Sequence, residues 1–138
     1  IAAESANFIQ AFVKVGLVPD SGSTWMLPRL IGMTRALDMM LSGRRMNAQE
    51  SLEIGLVNTV VPNDALLDTA TKLAQEFANA PTMTLGYIKQ AVEFASTSTL
   101  EAALNMEAEL QDQAASTADH GEGIMAFLQK RPAQFTGQ

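Results

Sequence analysis

Apolar residues crowd the front of the chain. Phe8, Phe12 and the run Val13, Val15 stand close together with no helix-capping residue ahead of them, which predicts a strand near 8–15. Pro19 closes this stretch. Asp20, followed by Ser21, Gly22 and Ser23, supplies the residue types that open helices, so a helix is expected after Pro19 with Asp20 as its N-cap. Pro28 predicts a break or kink in it and Gly32 its end. A second helix over 34–43 carries Leu37, Met40 and Leu41 on one face and stops at Gly43. Asn47, with Glu50 following, is a capping pair that opens a short helix reaching Gly55. Residues 56–61 form the one clear later strand, closed by Pro62 and Asn63.

From there the apolar spacing is helical to the end. Helices are expected at 64–79, 82–95, 99–115 and 119–130, with Pro81 separating the first two and Ser98 and Glu101 forming a capping box. The 99–115 helix has Leu100, Ala103, Leu104 and Leu110 on one face and Glu101, Glu107, Glu109 and Asp112 elsewhere, a pattern that buries against other helices or another subunit. The layout is lopsided. A single strand pair is not stable as a sheet by itself, so the front end is expected to need strand partners from a longer chain. The opening IAAESANF begins in strand-like sequence without an initiator Met, which reads as a fragment, and it has neither the basic segment nor the cleavage pattern of a signal peptide.

Composition narrows the classes. At 138 residues the chain suits one domain with a real core. Its net charge is −6, and the only basic cluster is Arg44 and Arg45 with Arg29 and Arg35 nearby, against fifteen acids spread along the chain; nucleic-acid binding is not expected. With no cysteine there is no disulfide, thiolate nucleophile or cysteine-ligated metal, and the chain fits a reducing compartment. The apolar runs are far shorter than a membrane span, so no membrane partner is expected either.

Candidate chemistry is sparse. Asp20 has two readings: a helix cap that spends its lone pairs on backbone N–H groups, or a proton-transfer acid/base in an apolar surround that Phe12, Val18, Trp25 and Met26 would supply. His120, the sole histidine, has no partners at metal-ligand spacing and reads as an exposed first-turn residue of the last helix; no metal site is expected. The glycines do not form a nucleotide fingerprint, and no serine stands in an elbow for His120 to serve. Met39 and Met40 read as core. Lys130 and Arg131 suit either a phosphate or the negative end of the last helix.

The order VGLVPDSGSTWMLPRLIG, RALDMMLSGRRMNAQESLEIGLVNTVVP and GEGIMAFLQKRPAQF resembles the enoyl-CoA hydratase/isomerase (crotonase) superfamily over essentially all 138 residues, in its C-terminal half. The resemblance implies an α/β fold: the C-terminal part of a crotonase (ClpP-like) β-β-α superhelix, mostly helical in this chain with a few short strands. Residues 1–62 would be the last turns of the spiral core and 63–138 a helical region that assembles into homo-trimers or hexamers. It implies a cytoplasmic enzyme without cofactor, whose substrate is an acyl-CoA thioester.

Site roles follow from the same resemblance. The oxyanion-hole donors and most of the CoA pocket would lie in the N-terminal half, leaving the present chain inactive alone. Hydratases of the family carry a Glu eight residues before the Asp20 position; here that place is Phe12. An acid at Asp20 instead resembles the double-bond and ring-epoxide isomerases of fatty-acid or phenylacetate breakdown, where it shuttles a proton on the acyl group. The closing AF-x-x-K motif carries a CoA-contacting role onto Phe127 and Lys130. An isomerase is therefore expected, with Asp20 as its acid/base. The alternatives are an enoyl-CoA hydratase using an acid from the other half, and an inactive assembly module.

Overall fold

The structure, a computed structural model, describes residues 1–138. Four short strands, β1 (Ala2–Ala3), β2 (Asn7–Ile9), β3 (Arg45–Asn47) and β4 (Val60–Val61), all lie in the first half of the chain, and seven helices run among and after them: α1 (Ser23–Ile31), α2 (Met33–Ser42), α3 (Ala48–Glu53), α4 (Leu66–Ala78), α5 (Thr82–Ala95), α6 (Leu100–Ala115) and α7 (Ala118–Gln129). β1 pairs with β4 in parallel, Ala2 opposite Val60. β2 pairs with β3 antiparallel, Phe8 opposite Met46. The chain forms two compact units, Ile1–Thr71 and Lys72–Gln138. No helix is long and apolar enough to cross a membrane.

The front unit is organised by one apolar cluster. Leu27 and Ile31 of α1, Ala36, Met39 and Met40 of α2 and Met46 of β3 are buried together, with Phe8, Ile54 and Leu56 packed against them. Each large side chain taken fully out of water contributes roughly 1.5–3 kcal/mol. Met39 and Met40 of α2 are core as expected, but the face they belong to is turned away from Leu37 and Leu41. Ala36, Met39 and Met40 point in, whereas Leu37 and Leu41 lie 44% and 70% exposed. Leu37 and Leu41 are one residue on from Ala36 and Met40, and one residue is about 100° around a helix, enough to carry a side chain off the buried stripe.

Both expected strands are shorter than the apolar runs suggest. Only Asn7–Ile9 pairs with a neighbour, because β3 offers just three residues; beyond it Ala11–Val15 winds into a 3-10 turn that Gly16 closes in a left-handed conformation. A β-branched run becomes strand only where a ladder exists to receive it. In 56–61 the first residues go elsewhere: the N–H groups of Leu56 and Val57 both donate to the Ser51 carbonyl, extending the end of α3, and only Val60–Val61 reaches β1.

The helix boundaries of the C-terminal half fall close to expectation, and their caps explain the remaining offsets. Thr99, not Ser98, caps α6: its Oγ1 accepts the Ala102 N–H at 3.2 Å, while Ser98 Oγ donates back to the Phe94 carbonyl beyond the end of α5. Thr117 Oγ1 accepts the His120 N–H to open α7. Leu110 is the buried residue of the α6 face; Leu100 and Leu104 of the same expected stripe are exposed. Pro28 sits inside α1 without ending it, and the helix runs on to Gly32.

Asn47 caps α3 as expected, its Oδ1 accepting the Glu50 N–H at 2.8 Å. Arg44 then ties the end of α2 to α3, with Nε on Asp38 at 2.7 Å and both terminal nitrogens on Glu50 at 3.0 and 2.7 Å. Asn47→Ala removes the acceptor for one α3 N–H, and a loss of about 1 kcal/mol is expected in chemical denaturation. A midpoint within error of the parent would show that the Arg44 link alone holds the helix start.

Candidate functional site

The candidate acid lies on the loop between the 3-10 turn and α1. Its carboxylate does not cap the helix: Gly22 is the N-cap residue, and the first turn is served by backbone carbonyls, Ser23 N–H donating to the Asp20 carbonyl and Trp25 N–H to that of Gly22. The expectation of Asp20 as N-cap is corrected accordingly. The physical cause is a pair of left-handed residues, Ser21 at φ 52° and Gly22 at φ 78°, which turn the chain two residues later than the pattern suggests. A left-handed conformation is open to Gly but uncommon for Ser.

What remains on the Asp20 carboxylate is one hydrogen bond, donated by Ser21 Oγ at 3.0 Å. The side chain is exposed, and the flanking Val18, Trp25 and Met26 are exposed as well, at 77%, 46% and 52%. Phe12 is half-buried. The Arg29 guanidinium stacks on the Trp25 ring, 3.9 Å from its centroid, while its Nη1 donates to the Trp25 carbonyl, so this cation is held by the helix rather than paired with Asp20. The result is an acid with free lone pairs at the edge of an uncovered apolar surface.

Phe127 and Lys130 lie in the other unit, at the end of α7. Phe127 is 82% exposed and lines an open groove of about 460 Å³ together with Pro81, Thr84, His120, Leu128 and Phe135. Lys130 closes the helix with a left-handed backbone, φ 54° and ψ 40°. Its N–H donates to the Phe127 carbonyl and the Arg131 N–H to that of Ala126, the two bonds of a Schellman turn. His120 is exposed in the first turn of α7. No cluster of His, Asp and Glu side chains converges as metal ligands.

Two acids of α7 that the sequence pattern passes over hold the chain beyond the helix. Glu122 receives Arg131 through both terminal nitrogens, at 2.6 and 2.8 Å, and the Gln134 N–H at 2.7 Å. Asp119, buried, accepts the N–H groups of Thr136 and Gly137 at 2.7 and 2.8 Å. The partners lie nine to eighteen residues downstream, so no helical periodicity marks them. The only local signal is Asp119 in the first turn, which reads equally well as a helix-dipole residue; Glu122, one turn on, carries none.

The Arg131 guanidinium, aided by the Gln134 N–H, pulls the Glu122 carboxyl down from its ordinary 4.5 to about 2. A depressed carboxyl pKa contributes stability that is complete above the unfolded value and lost as pH falls through the folded one. The contacts around Glu122 are therefore expected to persist at pH 4 and to open only near pH 2. Carboxyl chemical shifts followed by NMR across pH 1–6 check this, and a Glu122 midpoint near 4.5 would contradict the pairing.

The family model of enoyl-CoA hydratase/isomerase matches residues 1–138. The chain is 47% identical over its whole length to the 1,2-epoxyphenylacetyl-CoA isomerase of Escherichia coli, covering 53% of that protein, and 38% identical to the 2,3-dehydroadipyl-CoA hydratase of the same organism, covering 54%. Its fold superposes on the crystal structure of an enoyl-CoA hydratase from Bacillus anthracis with a TM-score of 0.93 at 34% identity, over 99% of this chain and 53% of that one. The chain thus spans about half the length of the relatives it matches, their C-terminal half. The short strands and long helical run are the C-terminal part of a crotonase fold, mostly α with a few strands. A match that runs from the first residue to the last, on both sequence and backbone, makes this chain a member of the enoyl-CoA hydratase/isomerase family.

Proposed function

We propose that the full-length protein isomerises an acyl-CoA, with Asp20 carrying the proton. The observation that supports this most is the state of Asp20: its carboxylate is exposed and carries one hydrogen bond, so it is available to a substrate rather than spent on a helix. Isomerisation needs a base at one carbon and an acid at another, and a single carboxylate between the two serves as both: it takes the proton, becomes neutral, and returns it. The enolate formed between those steps needs oxyanion donors, which this reading assigns to the N-terminal half of the protein. The identity to 1,2-epoxyphenylacetyl-CoA isomerase favours an aromatic or ring-epoxide acyl group within this class.

Phe127 and Lys130 are the proposed contacts to the CoA nucleotide, an exposed ring for the adenine and an ammonium for a phosphate. The present chain alone, lacking oxyanion donors, is then inactive. The exposed apolar residues of α1 and α2, among them Leu30, Met33 and Leu41, suit burial against further chain or other copies in a homo-trimer or hexamer. A cytoplasmic, cofactor-free setting belongs to the same reading.

Hydration is the second reading, favoured by the 38% identity to a hydratase. Water addition is usually served by two acids about a positioned water, and Phe12 stands where the first would be. Offering crotonyl-CoA to the full-length protein separates the two. Rapid loss of the enoyl absorbance would establish hydration and end the isomerase reading; slow hydration beside rapid double-bond migration supports it.

A further inference from the structure

The turn that ends α7 carries an oddity. A Schellman turn places one residue in the left-handed region, and glycine fills that place by preference because any Cβ is strained there. Here the residue is Lys130, at φ 54°, one of only two non-glycine residues in the chain with positive φ. The other is Ser21, beside the candidate acid. Strain of this kind persists only where surrounding contacts impose it, and it points to a side chain needed at that spot.

The contacts that impose it surround the turn. Arg131, immediately after the turn, is fastened to Glu122 by two hydrogen bonds in fork geometry and to Gln129 by its Nε at 2.8 Å. The Gln134 N–H joins the same carboxylate. Glu122 therefore grips the chain on its outward side at two points, while α7 holds its inward side. Lys130 lies between these anchors and has no salt-bridge partner of its own. A bidentate guanidinium–carboxylate pair fixes direction as well as distance, which a lysine in place of Arg131 would not.

We propose that Glu122 and Arg131 are positioning residues for Lys130, clamping the turn so that its ammonium is held for a phosphate of the acyl-CoA nucleotide. This rests on the CoA role proposed for Lys130. Holding a long, flexible side chain by its backbone lowers the ordering cost of binding, and the benefit appears in affinity for the nucleotide.

The test compares three variants of the full-length protein, Lys130→Ala, Glu122→Gln and Arg131→Gln, in steady-state kinetics with an acyl-CoA and with the matching pantetheine thioester, which lacks the nucleotide. Lys130→Ala is expected to raise KM for the acyl-CoA about tenfold or more, the range of a lost charge-assisted contact. Glu122→Gln and Arg131→Gln are expected to raise it by a comparable factor while kcat changes less than about twofold, a split that marks lost ground-state binding. The preference for acyl-CoA over the pantetheine thioester falls accordingly, and Arg131→Lys recovers part of it. Adding Glu122→Gln to Lys130→Ala produces no further rise.

The failures separate. If Lys130→Ala leaves KM unchanged, the CoA role of Lys130 is wrong. If Lys130→Ala raises KM and neither Glu122→Gln nor Arg131→Gln does, the lysine binds without the clamp and the positioning inference is overturned. Equal losses with both substrates in the two clamp variants also overturn it, since the pair would then serve stability alone. A thermal melt of each variant identifies that case directly.

Discussion

Asp20→Asn in the full-length protein is expected to reduce isomerase turnover by about 10²–10⁴-fold, the usual contribution of a positioned general acid–base group. The amide is nearly isosteric and still accepts the Ser21 Oγ hydrogen bond, so the loop with its two left-handed residues keeps its shape. What is lost is the ability to bind and release a proton. Affinity for CoA itself should stay within about threefold, because an interaction made only while the proton moves leaves ground-state binding untouched. Turnover on the acyl-CoA and calorimetric titration with CoA give the two numbers. Near-normal turnover would falsify the role proposed for Asp20, whereas parallel loss of turnover and CoA binding would mean the substitution has disturbed the site as a whole.

The largest effect on stability is expected at Met46. It is 1% exposed, on β3 opposite Phe8 of β2 and in the same cluster as Met39, Leu27 and Ile31. Met46→Ala leaves a cavity that three different elements line, and none of them can close it without moving the others. A cost of roughly 2–5 kcal/mol follows, against a few tenths to about 1.5 kcal/mol for the volume-conserving Met46→Leu. Denaturant midpoints at unchanged m-value measure both. Because α1 rests on this cluster through Leu27 and Ile31, and Asp20 stands just ahead of α1, Met46→Ala is also expected to lower turnover without any contact to substrate. Equal midpoints for the two variants would mean that the cluster packs loosely enough to refill the void.

Much of the helical framework could be read from residue types alone. The boundaries of α4 to α7 lie within two residues of the expected ones, since apolar spacing and Pro81 act over one or two turns of chain, even though Thr99 rather than Ser98 caps α6. The Asn47 cap and the stops at Gly32 and Gly43 were legible for the same reason. The family, too, was carried by local strings, such as VGLVPDSGSTW and AFLQKR, that the full-length match reproduces.

Strand extent, buried face and anchoring were decided by tertiary structure. Whether 8–15 or 56–61 becomes strand depends on a neighbour that offers a ladder, and that neighbour lies tens of residues away. Met39 reads as core from the sequence, but whether Leu37 and Leu41 join it depends on where α1 and β3 stand, which no helical period contains. Asp20 was ambiguous between cap and free carboxylate until two left-handed residues moved the cap to Gly22. Nothing in the pattern around Glu122 and Asp119 marks them as anchors; the chain after α7 folding back on them makes them so. The sequence by itself determined what acts within one turn of backbone: helices, caps and the motif strings. Pairing, packing direction and long-range hydrogen bonds required the folded chain, because each depends on a partner whose distance along the sequence carries no periodic mark.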